Sequence, residues 1–156
     1  MSRAASGSLL LRTGRRFPFC SPSGVMPHVA SSTARTLSLI ALVSGLYDFL
    51  LGIGLLAAPS ALAGWFGVAA PEPPIFGTLN GLFLVAIGLG YWLPYRDPVR
   101  HRGYLWIMGP LLKGGGAAAF VVDVVLRDSP GAFLLFAASD GSLALITLWA
   151  LMRRPG

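Results

Sequence analysis

Four ionisable side chains stand inside stretches that are otherwise apolar: Asp48, Lys113, Asp123 and Asp140. Lys113 lies near the middle of YLWIMGPLLKGGGAAAFVVDVVL, residues 104–126, a run of 23 residues with Asp123 toward its far end. Crossing a hydrocarbon core of about 30 Å takes about 20 residues at roughly 1.5 Å each, so this run is long enough to span a bilayer. An ammonium at that depth costs about 2.5–3.5 kcal/mol on insertion scales and therefore calls for a partner or water. The question the sequence poses is what surrounds Lys113.

Depth along the candidate spans supplies an answer. At about 1.5 Å per residue from one membrane face, Lys113 comes out roughly 15 Å deep, and Asp48 and Asp140 both roughly 18 Å deep. Asn80 comes out near 21 Å and Asp123 near the opposite boundary at about 30 Å. Three charges from three separate helices thus share a level, and a bundle with short loops can bring them together. Two carboxylates around one lysine leave one negative charge in excess, so one aspartate keeps its proton or takes a further cation or water. The chemistry expected of Asp48, Lys113 and Asp140 is the handling of a proton, an ion or a substrate. The competing expectation is packing, in which the ion pairs fix the register of the helices. Asn80 and Tyr47 are secondary polar positions in the spans, and Asp123 is close enough to the boundary to be solvated.

The elements that would carry these residues are four apolar runs. The chain has 156 residues, 54% hydrophobic and 12% charged, with a mean hydropathy of +0.70. Soluble domains carry about twice that charge, so one membrane domain is expected. The first span, residues 37–58, contains Tyr47 and Asp48, and its Gly45, Asp48 and Gly52 fall on one side. A proline-rich loop at 59–74 follows, in which Trp65 and Phe66 suit an interfacial half-helix. The second span is 75–93, with Asn80 inside it, Gly77, Gly81 and Gly88 on a face that permits close approach, and Tyr91 and Trp92 at belt level. Residues 94–103, PYRDPVRHRG, read as a charged loop outside the membrane. The third span is 104–126, in which Pro110 predicts a local kink with freed carbonyls beside Lys113. The fourth is 131–152, with Asp140 near its centre. FLLGIGL (49–55) and FLVAIGL (83–89) are similar enough to raise an ancestral hairpin duplication or chance resemblance among Leu-, Ile- and Gly-rich helices.

Charge sets the orientation. Arg35, Arg96, Arg100, Arg102, Arg153 and Arg154 flank the spans on one side, and only Arg127 lies on the other. The positive-inside rule then places both termini and the 94–103 loop in the cytoplasm, as for a bacterial inner-membrane protein. Residues 1–35 are rich in Ser, Arg, Pro and Gly, without a helical period. They are expected to be a disordered leader, an organelle transit peptide, or an upstream extension with initiation at Met26, and in each case lie outside the fold. The net charge of +6 is accounted for by topology, so no nucleic-acid partner is expected.

Other chemistries find little support. Cys20 is the only cysteine, which excludes an internal disulfide and a CxxC redox pair. His28 has no second ligand near it in sequence, and His101 is flanked by arginines, so no metal site is expected. Gly114, Gly115 and Gly116 lack the strand, helix and GK[ST] setting of a phosphate loop. No cofactor ligand set and no catalytic residue can be assigned.

YDFLLGIGLLAAP in the first span, NGLFLVAIGLGYW in the second and the separate second hairpin make residues 36–154 resemble the small four-helix membrane proteins of the DoxX-like group. The resemblance implies an all-α, four-transmembrane-helix bundle, and in some members an accessory role beside membrane oxidoreductases. Three functions are therefore expected candidates: a non-enzymatic accessory or assembly subunit of a membrane complex, with redox or quinone chemistry as one setting; a small oligomeric transporter or channel using the buried Asp and Lys; and a membrane enzyme acting on a lipid-like substrate. The expected partners are membrane lipid and a second copy or another membrane protein.

Overall fold

The computed structural model of the protein describes residues 32–153. The expectations for residues 1–31 and Arg154 fall outside the described residues. The element order is α1 (Ser32–Ala57), α2 (Pro59–Trp65), α3 (Ile75–Gly90), α4 (Trp92–Arg96), α5 (Arg102–Trp106), a π-helical segment (Ile107–Lys113), α6 (Gly114–Arg127) and α7 (Phe133–Met152). The fold is all-α. Its four long helical runs, Ser32–Ala57, Ile75–Arg96, Arg102–Arg127 and Phe133–Met152, are each long and apolar enough to cross a membrane. Large apolar side chains such as Leu50, Phe83 and Leu145 stay exposed on the outside of the bundle. Lipid is the solvent that suits such a surface.

Three boundaries differ from the sequence reading, each for a local reason. Helix α1 already includes residues 32–36, ahead of the apolar span expected to start at residue 37. Hydropathy marks where the apolar run starts, whereas Ala34 and Arg35 are good helix formers that extend it, and the Thr36 hydroxyl donates to the Ser32 carbonyl at 3.0 Å. The second span continues through α4 to Arg96, and Pro94, expected in a solvated loop, is fully buried. The α3–α4 junction at Tyr91 makes this possible, because Pro94 falls in the first turn of the new helix, where its missing N–H goes unmissed. Only residues 97–101 remain as loop. There the Asp97 carboxylate accepts from the Arg100 amide at 3.0 Å.

The helices form two hairpins. In the first, α1 and α3 run antiparallel in close contact because glycine meets backbone on both sides. A Cβ at Gly52 would stand 2.7 Å from the Val85 amide nitrogen and 2.8 Å from the Gly81 carbonyl. One at Gly88 would stand 2.7 Å from the Phe49 nitrogen and 2.8 Å from the Gly45 carbonyl. In the second hairpin, α6 and the π segment pack along α7. The hairpins join at the end that carries α4 and α5, where Leu37, Ile40, Ala41, Tyr91, Leu105, Ala150 and Leu151 form the buried core. Arg102 donates to the Leu151 carbonyl there, capping the end of α7.

Because the atoms that a Cβ at Gly88 would meet belong to backbone, the helices must separate to admit it. Gly88→Ala is expected to lower stability by about 1–3 kcal/mol. Gly115→Ala, where nothing lies within 4 Å, is expected to be neutral or mildly stabilising. Thermal unfolding of the two variants in the same detergent checks the difference.

Candidate functional site: a buried ion-pair centre at the end of a cavity

Each member of the centre is held by a different element. Asp48 sits midway along α1, Asp140 two turns into α7, and Lys113 closes the π segment. The third element owes its geometry to Pro110, which has no N–H to offer the Trp106 carbonyl four residues back. The backbone widens there into π turns over Ile107–Lys113. One extra residue in a turn rotates everything after it by about 100° relative to an uninterrupted α-helix. Gly109 permits the close approach: a Cβ on it would stand 2.6 Å from Thr147 Cγ2. Gly109 and Lys113 are both buried, one turn apart.

The structure brings Asp48, Lys113 and Asp140 together. Lys113 Nζ donates to Asp48 Oδ1 at 2.6 Å and to Asp140 Oδ1 at 3.1 Å. It also lies 4.8 Å from the centre of the Tyr47 ring. Two carboxylates and an aromatic face thus surround the three protons of the ammonium. The Tyr47 hydroxyl is 2.9 Å from Ser139 Oγ. Ser139 gives its single proton to the Phe136 carbonyl at 3.1 Å, so Tyr47 is the donor to Ser139. The two carboxylates are not equivalent. Side-chain exposure is 4% for Asp48 and 17% for Asp140, so Asp48 is the sealed partner and Asp140 the open one.

Asp140 opens onto a cavity of about 590 Å³. Leu51 and Leu55 of α1, Phe83 and Leu84 of α3, and Phe120 of α6 line its walls, and Lys113 with both aspartates forms its floor. It extends toward the α2 end, where Phe66 packs at a tilt on Phe136 with ring centres 4.6 Å apart and Phe120 stacks on Phe136 at 5.5 Å. At the opposite end the centre is closed off by the buried core around Leu37, Leu105 and Leu151. The cavity lies between that core and the aromatic contacts at the α2 end.

The remaining sequence candidates lie elsewhere. Asn80 is exposed on the cavity wall and makes no hydrogen bond to Asp48; its depth was near that of Asp48, but its direction along α3 differs. Asp123 accepts from Arg127 Nη1 at 3.0 Å and from Ser129, and so ties off the end of α6. Asp128, in the left-handed region at φ 52°, completes that turn. Phe66, expected at the headgroup level with Trp65, turns inward onto Phe136, while Trp65 stays 82% exposed. Phe120, Phe133 and Phe136 line the cavity and were not singled out in the sequence. Their signal was present as FVVDVVL and FLLF flanking one short loop, but phenylalanine in an apolar span carries no direction. Among the described residues, no group of three His, Cys, Asp or Glu side chains could hold a metal ion.

Fold and site together define an all-α bundle of four membrane-span-like helices around a buried Asp–Lys–Asp centre. No protein-family model, curated protein or solved structure matches the chain. The likeness to known proteins therefore stops at four-span helical architecture in general.

Removing one partner from a buried ion pair leaves an uncompensated charge, at a cost of about 3–5 kcal/mol. Lys113→Met is expected to destabilise in that range, because Asp48 is then a dry carboxylate without its counter-ion. The double variant D48N/K113M is expected to recover most of the loss, since the dry carboxylate is gone and only Asp140, the open one, is left without the ammonium. Thermal unfolding in detergent checks both; equal, additive losses would contradict direct pairing.

Proposed function

We propose that the protein is a small membrane transporter whose substrate rests on the Asp48–Lys113–Asp140 centre. One observation carries this reading: access to the centre is one-sided. A cavity of about 590 Å³ leads to it from the α2 end, and a tightly packed apolar core shuts the other end. A lysine kept only for packing is served best by filled surroundings; a cavity at its side favours an occupant. A carrier must hold its site open to one face and closed to the other, and then exchange the two. The π segment at Lys113 is the natural moving part, since its irregular backbone is least committed to one helical register.

On this reading the closed end faces the cytoplasm and the cavity mouth opens outside, in a bacterial inner membrane, which the positive-inside rule supports. Four helices enclose little volume, so a homodimer is the expected working unit. The accessory-subunit reading, which the DoxX-like resemblance favours, is best served by glycine faces free for a partner helix. Gly45, Gly52, Gly81 and Gly88 are instead used up between α1 and α3. The lipid-enzyme reading would use the same cavity, but has no nucleophile beside the carboxylates.

The test is transport by the full chain in vesicles, read as current on a solid-supported membrane for a panel of small solutes. At least one solute is expected to give a signal that is lost by tenfold or more in Asp140→Asn and kept in Val99→Ala, an exposed loop change. If wild type and D140N match for every solute, the transporter reading fails.

A further inference from the structure

The charges at the floor of the cavity do not cancel. Two carboxylates face one ammonium, and among the described residues that line the cavity there is no other lysine or arginine. Arg127 is bound to Asp123 at 3.0 Å at the α2 end, and Arg102 is bound to the Leu151 carbonyl at the closed end. One negative charge is therefore left over in surroundings of low dielectric, where it must be met by a proton or by a cation. The surplus sits at Asp140. Its contact with Lys113 is 3.1 Å against 2.6 Å for Asp48, and it is the more open of the two. Its Oδ2 faces Gly116, 4.0 Å from where a Cβ would stand, so the space beside it is kept clear by the lack of a side chain.

We infer that the cavity takes an amphiphilic organic monocation, whose charged head binds Asp140 in exchange for one proton while its apolar body lies among the phenylalanines. The inference rests on the transporter reading and narrows it to a substrate class. Four features select the ligand. An anion would add to the surplus negative charge. A small inorganic cation would want about six oxygen ligands, and the floor offers chiefly carboxylates already engaged by Lys113. The walls are apolar and aromatic: Phe66, Phe83, Phe120 and Phe136 offer dispersion contacts to a tail and ring faces to a delocalised cation. The volume falls within the range of about 300–1,000 Å³ common to small-molecule sites. The exchange balances: the floor gives up the one proton that offsets its surplus charge as one monocation arrives, and the net charge of the site is unchanged. The groups that face Asp140 during this exchange are Lys113 from the π segment, Tyr47 and Asp48 from α1, and Tyr91 from the α3–α4 junction.

The test uses purified full-length protein in detergent and two probes of similar shape, tetraphenylphosphonium and the neutral triphenylphosphine oxide, with binding read by equilibrium dialysis. Tetraphenylphosphonium is expected to bind, with an affinity that weakens up to about tenfold per unit as pH falls, because proton and cation compete for the one surplus charge. One proton should be released per cation in weak buffer. Asp140→Asn is expected to lose cation binding at least tenfold, and Asp140→Glu to keep it with a displaced pH profile. Gly116→Leu, which fills the space beside Oδ2 without changing charge, is expected to lose both probes. Equal binding of both probes, unaffected by D140N, would overturn the cation inference and leave a ligand-binding cavity standing. Binding of neither probe by a folded wild-type protein would overturn the inference and count against the transporter reading as well.

Discussion

A single ammonium group held between two carboxylates at mid-bundle is the constraint around which the rest of the molecule is arranged. Taking Lys113 out of water is affordable only with partners on several sides. Helix α1 supplies Asp48 and the Tyr47 ring, and α7 supplies Asp140. The third span must then bring the lysine to a point set by two other helices, which an ordinary helix through that segment would not guarantee. Pro110, the π turns it imposes and the glycine at 109 reconcile the register of the span with the position of its one charge.

The same arrangement accounts for the cavity. Glycines lock α1 against α3, and α6 packs along α7, so the two hairpins are rigid units. They share an apolar core at the α4–α5 end and meet at the α2 end through Phe66 on Phe136. Between them, beyond the ion pairs, the bundle holds space instead of side chains. Asp48 is at the dry end of that space and Asp140 at the open end, so one carboxylate serves the lysine and the other is left to face what enters. Structure and chemistry divide between two residues of the same type.

Much of this was legible in the sequence, for a clear reason. Apolar run length reports directly on bilayer thickness, and rise per residue converts position into depth. That is why Asp48, Lys113 and Asp140 could be placed at one level before any fold was known. Depth says nothing about direction, however. Asn80 lies near that level and on the cavity wall but makes no hydrogen bond to the ion pairs, and the phenylalanines of the cavity could not be told from those that face lipid. Nor does hydropathy see where helices end: Ser32–Arg35 and Pro94–Arg96 belong to helices that run past their apolar stretch. The glycine faces on the first two spans were recognisable as contact surfaces, but whether the contact lay within the chain or with a partner is a matter of tertiary structure. Pro110 foretold a disturbance without revealing its form, since a kink and a π turn arise from the same missing N–H.

Lys113 is the only lysine in the chain, and there are five aspartates, which makes the centre open to direct observation in a bilayer. Solid-state NMR of protein carrying a ¹⁵N label at the lysine side chain and ¹³C at the aspartate carboxyls reports which carboxyls lie at ion-pair range of that one amine. The account predicts two cross-peaks, one removed by Asp48→Asn and the other by Asp140→Asn. A lysine signal with no carboxyl neighbour, or with Asp123 in place of either, would contradict it.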